Sequence, residues 1–180
     1  MLSGLQEYIS RRKTGDILIV LHQMGNHGPA YYKRYPESFE RFKPVCKTSQ
    51  LENCTREEIS NAYDNAILYT DYFLSKVIGL LKNNDKQFET AMVYMSDHGE
   101  SLGESGLYLH GLPYFMAPDA QKHIGAVMWF GEGFHLDRQA LRGKSAKAYS
   151  HDHLFHTILG LMEVETSAYD KKKDIINADK

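Results

Sequence analysis

The sequence predicts an α/β fold with a mostly parallel sheet flanked by helices. Three observations indicate this class. Apolar runs of strand length occur once near the start of the chain and twice beyond residue 87, a long amphipathic helix separates the first two runs, and another helix follows the third. Alternation of strands and helices is typical of a sheet whose parallel strands are joined by helical crossovers.

The composition is that of an ordinary globular domain. The chain has 180 residues, of which 42% are hydrophobic and 24% charged, with a formal net charge of −2. This balance argues against a nucleic-acid-binding protein, because no basic surface is encoded. No run approaches the roughly 18 apolar residues needed to cross a bilayer, and the first residues lack the features of a signal peptide. We therefore expect no targeting signal in the chain by itself.

The first predicted strand is DILIVLH, residues 16–22, an apolar run rich in β-branched residues that predicts a strand buried on both faces. Residues 23–54 contain several glycines and prolines, which predict a long irregular excursion. Such long ordered loops in compact domains usually carry function.

After this excursion, apolar residues recur at three- and four-residue spacing from Arg56 to about Asn83, which predicts a long amphipathic helix. Thr55 and Glu58 form a capping box at its start. FETAMVYMS and HIGAVMWF then predict two strands, and DHLFHTILGLME predicts a helix. The polar residues 166–180 are expected to form a disordered tail.

Chemically versatile side chains follow the predicted strands. Asp97 and His98 follow the second strand in the sequence SDHGES, and Gly99 lets the chain turn there. A carboxylate beside an imidazole suits zinc or manganese better than calcium. The alternative is that Asp97 caps a helix and His98 lies on the surface. Ligands bind beyond the carboxyl ends of parallel strands, so this pair is expected on the same rim as the residues after the first strand.

Further histidines fall into three groups. In HQMGNHGP, His27 is the better candidate for chemistry, because His22 ends an apolar strand and is expected to be buried. His110, in YLHGLP, is a candidate phosphate or metal contact whose direction a tight turn could fix. His153 and His156 have a spacing that would allow a shared metal, but the apolar surroundings of His156 favour packing.

Cys46 and Cys54 lie in the polar segment CKTSQLENC. Their spacing is too wide for a CxxC redox or zinc pair. A disulfide closing a short loop and two unrelated free thiols are equally open from the spacing alone.

Four segments in this order resemble a known family: HQMGNHGPAYYKRYP, NAYDNAILYTDYFL, YMSDHGESLGESGLYLHGLP and HDHLFHTILGL. Together they resemble the C-terminal part of the membrane-anchored phosphoethanolamine transferases that modify lipid A, which include the mobile colistin-resistance enzymes. These enzymes belong to the alkaline phosphatase and sulfatase superfamily. The resemblance implies that residues 1–165 are part of a sulfatase-like catalytic domain.

The resemblance also implies residue roles. Asp97 and His98 correspond to two ligands of the catalytic zinc, with Glu100 as a further candidate near a second zinc. His27 and His110 are assigned to catalysis, through contact with the transferred phosphate group or with that second zinc. Cys46 and Cys54 match a disulfide of the family.

The implied reaction moves phosphoethanolamine from phosphatidylethanolamine to lipid A through a covalent threonine intermediate. The resemblance places the threonine, a glutamate ligand and the membrane helices before the matching region. We therefore expect the full-length protein to be a monomeric enzyme of the bacterial inner membrane with a periplasmic catalytic domain, and the 180-residue chain alone to be inactive. The alternatives are a sulfatase or phosphodiesterase of the same superfamily, and an inactive truncated remnant.

Overall fold

The computed structural model of the protein describes residues 1–177. The chain divides into two compact units. One comprises Met1–Arg11 and Ile19–Phe134, and the other comprises Arg12–Leu18 and the chain from His135 onward. No helix among the described residues is both long and apolar enough to cross a membrane.

The first unit contains three helices and four strands: α1 (Leu5–Ser10), α2 (Arg56–Asn84), β1 (Ala91–Met95), β2 (Ser101–Leu102), β3 (Tyr108–Leu109), α3 (Asp119–Lys122) and β4 (Ala126–Phe130). The excursion before α2 is irregular, as predicted, with short 3₁₀ turns at Tyr31–Lys33, Glu37–Phe39 and Leu51–Asn53. The predicted capping box is present at the start of α2, because Thr55 and Glu58 each bond to the other's backbone N–H.

The strands pair differently from the prediction of a mostly parallel sheet. β1 pairs antiparallel with β4, with Ala91 opposite Phe130 and Met95 opposite Ala126, and β2 pairs antiparallel with β3. A parallel pair needs a crossover that returns the chain to the same end of the sheet. The connection from β1 to β4 contains only the four-residue helix α3 and the β2–β3 hairpin, so the chain reverses direction instead.

Residues 16–22 form no strand in the described part of the chain. Leu18 and Val20 keep 55% and 80% of their surface exposed, and His22, which the sequence predicted to be buried, is also exposed. An apolar run indicates that a strand is possible, but a strand forms only where a neighbour accepts its backbone hydrogen bonds.

The core of the first unit lies between α2 and the excursion. One face of α2 is buried, and its residues Ile59 and Ala62 belong to the core. They pack with three residues of the excursion: Tyr31, Cys46 and Leu51. The buried Asn65 holds the excursion to α2, because its side-chain oxygen accepts hydrogen bonds from the backbone N–H groups of Arg41 and Phe42 at 2.7 and 2.9 Å. Its amide group also donates to the carbonyl of Phe42 at 2.9 Å.

A disulfide joins Cys46 to Cys54, with a Cα–Cα distance of 5.7 Å. Cys46 is buried and belongs to the same core cluster. The bond closes a short loop directly before α2 and ties the end of the excursion to the first unit's core.

The second unit contains α4 (Arg138–Lys144) and α5 (Asp152–Leu161). The tail from residue 166 makes defined contacts as far as the structure describes it, and its disorder stays a prediction. Lys171–Lys173 form a 3₁₀ turn, Asp174 is fully buried, and the backbone N–H of Ile175 donates to Thr157 of α5 at 3.0 Å. Polar side chains here anchor the tail, which composition does not reveal. Residues 178–180 of this prediction lie outside the described residues.

Candidate active site

Three histidines converge in the first unit. His27, His98 and His110 each offer a ring nitrogen, and the three nitrogens all lie within 4.8 Å of one another. The ring centroids of His98 and His110 are 3.7 Å apart, and His27 lies 5.0 Å from His110 and 5.6 Å from His98. All three are accessible to solvent at least in part. The cluster is therefore open to a ligand.

The loop after β1 positions His98. The Oγ of Ser96 donates to the carbonyl of His98 at 2.7 Å, and the N–H of Gly99 donates to the carbonyl of Gln121 at 3.0 Å. A Cβ atom at Gly99 would lie 2.0 Å from the carbonyl oxygen of Ala120. Only glycine allows the loop to pack this closely on α3, which supports it from behind.

The short β2–β3 hairpin brings His110 back to His98. Ser101 pairs with Leu109, so the chain reverses within a few residues and places His110 beside the loop that it left. Gly111 follows with φ 107°, a conformation that side chains disfavour. This conformation sets the direction in which the chain leaves the site, and the tight turn after His110 stays a prediction.

Each of the three imidazoles is held through its Nδ1 atom. The Nδ1 of His27 lies 2.7 Å from the carbonyl oxygen of Gly28, and that of His98 lies 3.0 Å from the carbonyl oxygen of Gly99. The Nδ1 of His110 lies 3.1 Å from Oε1 of Glu100. Carbonyl oxygens only accept hydrogen bonds, so the proton of His27 and His98 resides on Nδ1. In the neutral ring this leaves the Nε2 lone pair available for a metal.

Glu100 is the buried anchor of the site, with 7% of its surface exposed. Its Oε1 accepts from the N–H of Gly28 at 3.1 Å and faces His110, and its Oε2 accepts from the hydroxyl of Tyr31 at 2.8 Å. Burial, together with the nearby Glu100 carboxylate, raises the pKa of Tyr31, which keeps that hydroxyl a donor. Both carboxylate oxygens thus face donors of the protein, and Glu100 lies outside the group of three ligand nitrogens.

Asp97 lies on the solvent side of His98. Its side chain is 78% exposed, and its Oδ1 is 3.9 Å from Nε2 of His98 and accepts from the His98 N–H at 3.1 Å. It caps no helix, because residues 98–100 are irregular. Oδ1 of Asp97 and Nε2 of His98 are close enough to bind one metal ion together, although Asp97 does not belong to the three-nitrogen group.

Two contributors were not identified from the sequence. Tyr31 is one of two adjacent tyrosines, and nothing local distinguishes it from Tyr32. Gln121 is buried and donates from Nε2 to Ser101 at 3.0 Å, while its Oε1 has no hydrogen-bond partner among the described residues. Both act through contacts between distant segments, which a linear pattern does not display.

His153 and His156, in the second unit, make contacts of another kind. The Nδ1 of His156 accepts from the backbone N–H of Asp170 at 3.0 Å, and the Nδ1 of His153 contacts Ser150. Among the described residues, neither belongs to a group that could hold a metal ion. The packing interpretation of His156 agrees with this contact.

Comparison with known proteins places these observations in a family. The Sulfatase family model matches residues 1–164. Phosphoethanolamine transferase EptA of Salmonella typhimurium is 47% identical over 98% of this chain and 33% of its own length. Phosphatidylethanolamine transferase Mcr-2 of Escherichia coli is 53% identical over 72% of this chain and 24% of its own length. The chain thus spans about a third or less of these curated relatives.

A solved structure confirms the predicted α/β, sulfatase-like fold class, although the strand pairs of the described residues are antiparallel. The soluble domain of lipooligosaccharide phosphoethanolamine transferase A from Neisseria meningitidis matches 98% of this chain and 54% of that chain, with a TM-score of 0.93 and 45% identity. The resemblance noted in the sequence is therefore confirmed over almost the whole chain. On these matches, the chain belongs to the Sulfatase family, and its similar relatives are phosphoethanolamine transferases.

Proposed function

We propose that this chain is part of a zinc-dependent enzyme that transfers phosphoethanolamine from phosphatidylethanolamine to lipid A. The observation that carries the proposal is the convergence of His27, His98 and His110, whose rings are each held through Nδ1 and offer ring nitrogens within 4.8 Å of one another. A relative named a phosphoethanolamine transferase matches almost the whole chain, including this region.

The donor set suits zinc. Imidazole nitrogens with a carboxylate are typical zinc ligands, and ligating histidines usually donate their other ring N–H to a carbonyl or carboxylate. Asp97 and His98 would hold the catalytic zinc, and His27 and His110 would contact the transferred phosphate group or hold a second zinc. Glu100 would act from behind by orienting His110, and its place as a ligand of the second zinc stays a prediction. When bound, zinc would lower the pKa of the attacking hydroxyl and offset negative charge on the phosphoryl oxygens.

The anchoring of Nδ1 restricts what His27 and His110 can do. A neutral ring with its proton on Nδ1 presents a lone pair at Nε2, which can bind a metal or accept a proton. Contact with a phosphoryl oxygen requires a second proton on the ring, because that oxygen is itself an acceptor. A protonated ring could also pass its Nε2 proton to the departing diacylglycerol oxygen. A neutral His27 or His110 can therefore bind a metal or accept a proton, whereas contact with the phosphate group requires the protonated ring.

The remaining parts of the proposal concern the whole protein. The threonine nucleophile and the further zinc ligands would come from the part of such enzymes that this chain does not match, as would attachment to the inner membrane. A periplasmic location is supported by the disulfide between Cys46 and Cys54, since such bonds persist in oxidising compartments. We expect a monomer, and no transfer by this chain alone.

The first test measures zinc binding by the chain with a competing chelator. His98→Ala and Asp97→Ala should weaken zinc binding, by about tenfold or more each if they are direct ligands. His123→Ala is the matched control, because His123 is exposed and lies outside the cluster. Zinc affinity that is unchanged in both site variants would contradict the metal assignment.

The second test measures transfer in a chimera that joins this chain to the preceding two thirds of the Salmonella typhimurium relative. Mass spectrometry of lipid A should detect added phosphoethanolamine, and His27→Ala or His110→Ala should abolish it while His123→Ala does not. Full transfer by both site variants would contradict their assignment. Release of free phosphoethanolamine without transfer would instead favour a hydrolase of the same superfamily.

A further inference from the structure

We propose that the second unit holds a binding site for a phosphate group, independent of the histidine cluster and of the transfer reaction. The site is a cavity of about 180 Å³ between α4, the start of α5 and the C-terminal tail. Its walls include three lysines, Lys144, Lys147 and Lys172, together with His153 and Asp174. We call this the lysine cavity.

Lys144 is held in place at the wall of the lysine cavity. Its side chain is buried, and its Nζ donates to the carbonyl oxygens of Ile175 and Ile176, both at 3.1 Å. These bonds hold the tail against the end of α4 and keep the ammonium group at the cavity wall. The two carbonyl oxygens orient the ammonium group of Lys144 at the cavity wall.

The acidic residue in the wall is already engaged. The carboxylate of Asp174 accepts from the hydroxyl of Tyr169 at 2.6 Å, from the side chain of Asn177 at 3.0 Å, and from two backbone N–H groups at 2.8 and 3.2 Å. Burial and the hydrogen bond to Asp174 raise the pKa of Tyr169 to about 12, so its hydroxyl remains a donor at neutral pH. Four donors occupy the lone pairs of this carboxylate.

Lys147 and Lys172 face the same cavity with their charges unpaired. Among the described residues, neither ammonium group forms an ion pair with a carboxylate. Both side chains are exposed, so they can close on a ligand without first breaking another contact. Three lysines and one carboxylate line the cavity, and the carboxylate already accepts four hydrogen bonds, so the excess of ammonium groups favours a small anion with several acceptor oxygens.

The size of the lysine cavity narrows the ligand to one group. Pockets for drug-sized ligands occupy about 300–1,000 Å³, and this cavity is smaller than that range. It has room for a phosphate group and a few waters, but not for a whole nucleotide. Ammonium groups bind phosphate oxygens through strong charge-assisted hydrogen bonds. The site therefore fits a terminal phosphate, either free or on a phosphomonoester.

The test titrates inorganic phosphate into the zinc-free chain and follows binding by calorimetry. We expect saturable binding that weakens roughly tenfold in each of Lys147→Gln and Lys172→Gln, as for the loss of one charge-assisted hydrogen bond. Lys173→Gln is the matched control, since Lys173 belongs to the same 3₁₀ turn but does not line the cavity. Thermal melting of each variant confirms that the exposed substitutions leave the fold intact.

Three outcomes would overturn the proposal: no saturable binding at millimolar phosphate, equal weakening by Lys173→Gln, or loss of binding in His98→Ala with the lysine variants unchanged. A second arm separates the sources of the phosphate group. Binding to vesicles of phosphatidic acid but not phosphatidylcholine, lost in the Lys147→Gln and Lys172→Gln variants, assigns a lipid phosphate. Phosphate binding without vesicle binding assigns a soluble one.

Discussion

Replacing Gly99 by alanine should disrupt the histidine cluster without touching a proposed ligand. The new Cβ would lie 2.0 Å from the carbonyl oxygen of Ala120 and 3.0 Å from its carbonyl carbon. The opposing atoms belong to the backbone of α3, so no side chain can rotate away. The loop that carries His98 must therefore move by about 1 Å or more to restore ordinary contact distances.

The magnitude follows from this displacement. Overpacking a tight contact costs about 1–3 kcal/mol, and the hydrogen bond from the N–H of Gly99 to Gln121 would add about 1 kcal/mol if it broke. We expect the free energy of unfolding to fall by about 2–4 kcal/mol. A shift of about 1 Å is also large against the 4.8 Å that encloses the three ring nitrogens. Zinc affinity should therefore fall by at least tenfold.

The assay combines urea unfolding with zinc competition, and Gly79→Ala provides the control. Gly79 lies within α2, and nothing within 4 Å would meet its Cβ. Alanine there should stabilise the helix by up to about 1 kcal/mol, because glycine is a poor helix former. A Gly99→Ala variant that matches the wild type in both stability and zinc affinity would contradict this prediction, as would greater damage from Gly79→Ala.

Three further sets of variants test the buried hydrogen bonds of Glu100 and Asn65 and the disulfide by the same measurements. Glu100→Ala should lower the free energy of unfolding by about 3 kcal/mol or more, because it leaves three hydrogen-bond donors without an acceptor. Glu100→Gln keeps an acceptor and should lower it by about 1 kcal/mol. Equal losses in the two variants would contradict the hydrogen-bonding role of Glu100. Asn65→Ala should cost about 3 kcal/mol by leaving backbone groups unpaired, against about 1 kcal/mol for the less buried Asn61→Ala, and no difference between them would refute this. Replacing both Cys46 and Cys54 by serine should cost about 2.5 kcal/mol, from closure of a short loop, and full stability after reduction would argue against that contribution.

The fold was predictable where the signal is local. The apolar spacing of α2 and the capping box at Thr55 are satisfied within the segment itself, so the predicted and observed starts agree at Arg56. The pairing of β1 with β4 is a long-range property, and apolar composition does not distinguish parallel from antiparallel neighbours. Residues 16–22 illustrate the same limit, since a run suited to a buried strand here has no neighbour to pair with in the described chain.

The candidate site divides in the same way. The sequence and its resemblance pointed to His27, His98 and His110, and the structure brings all three together. The sequence did not predict that Glu100 faces inward toward Tyr31 and Gly28, because those partners lie 69 and 72 positions away along the chain. A carboxylate between two histidines in sequence suggests a ligand, whereas its burial and its donors depend on the excursion packing over it.

A local signal for the cluster does exist, in the residue that follows each histidine. Of the nine histidines, only His27, His98 and His110 precede a glycine. The first two bond through Nδ1 to the carbonyl of that glycine, and a Cβ there would collide with Leu109 at Gly28 and with Ala120 at Gly99. Each glycine therefore permits a close approach that fixes the preceding ring. The orientation of the His27 and His98 rings thus depends on the residue directly after each of them.

The third ring depends on a longer path. His110 is oriented by Glu100, and Glu100 also holds the backbone of Gly28, so one carboxylate connects the loop of His27 to the loop of His110. Losing this connection should separate the two rings even though the local anchor of His27 survives. Glu100→Ala should therefore weaken zinc binding more than its distance from the ring nitrogens suggests, and the Glu100→Gln variant, which keeps an acceptor for both partners, should restore most of the affinity.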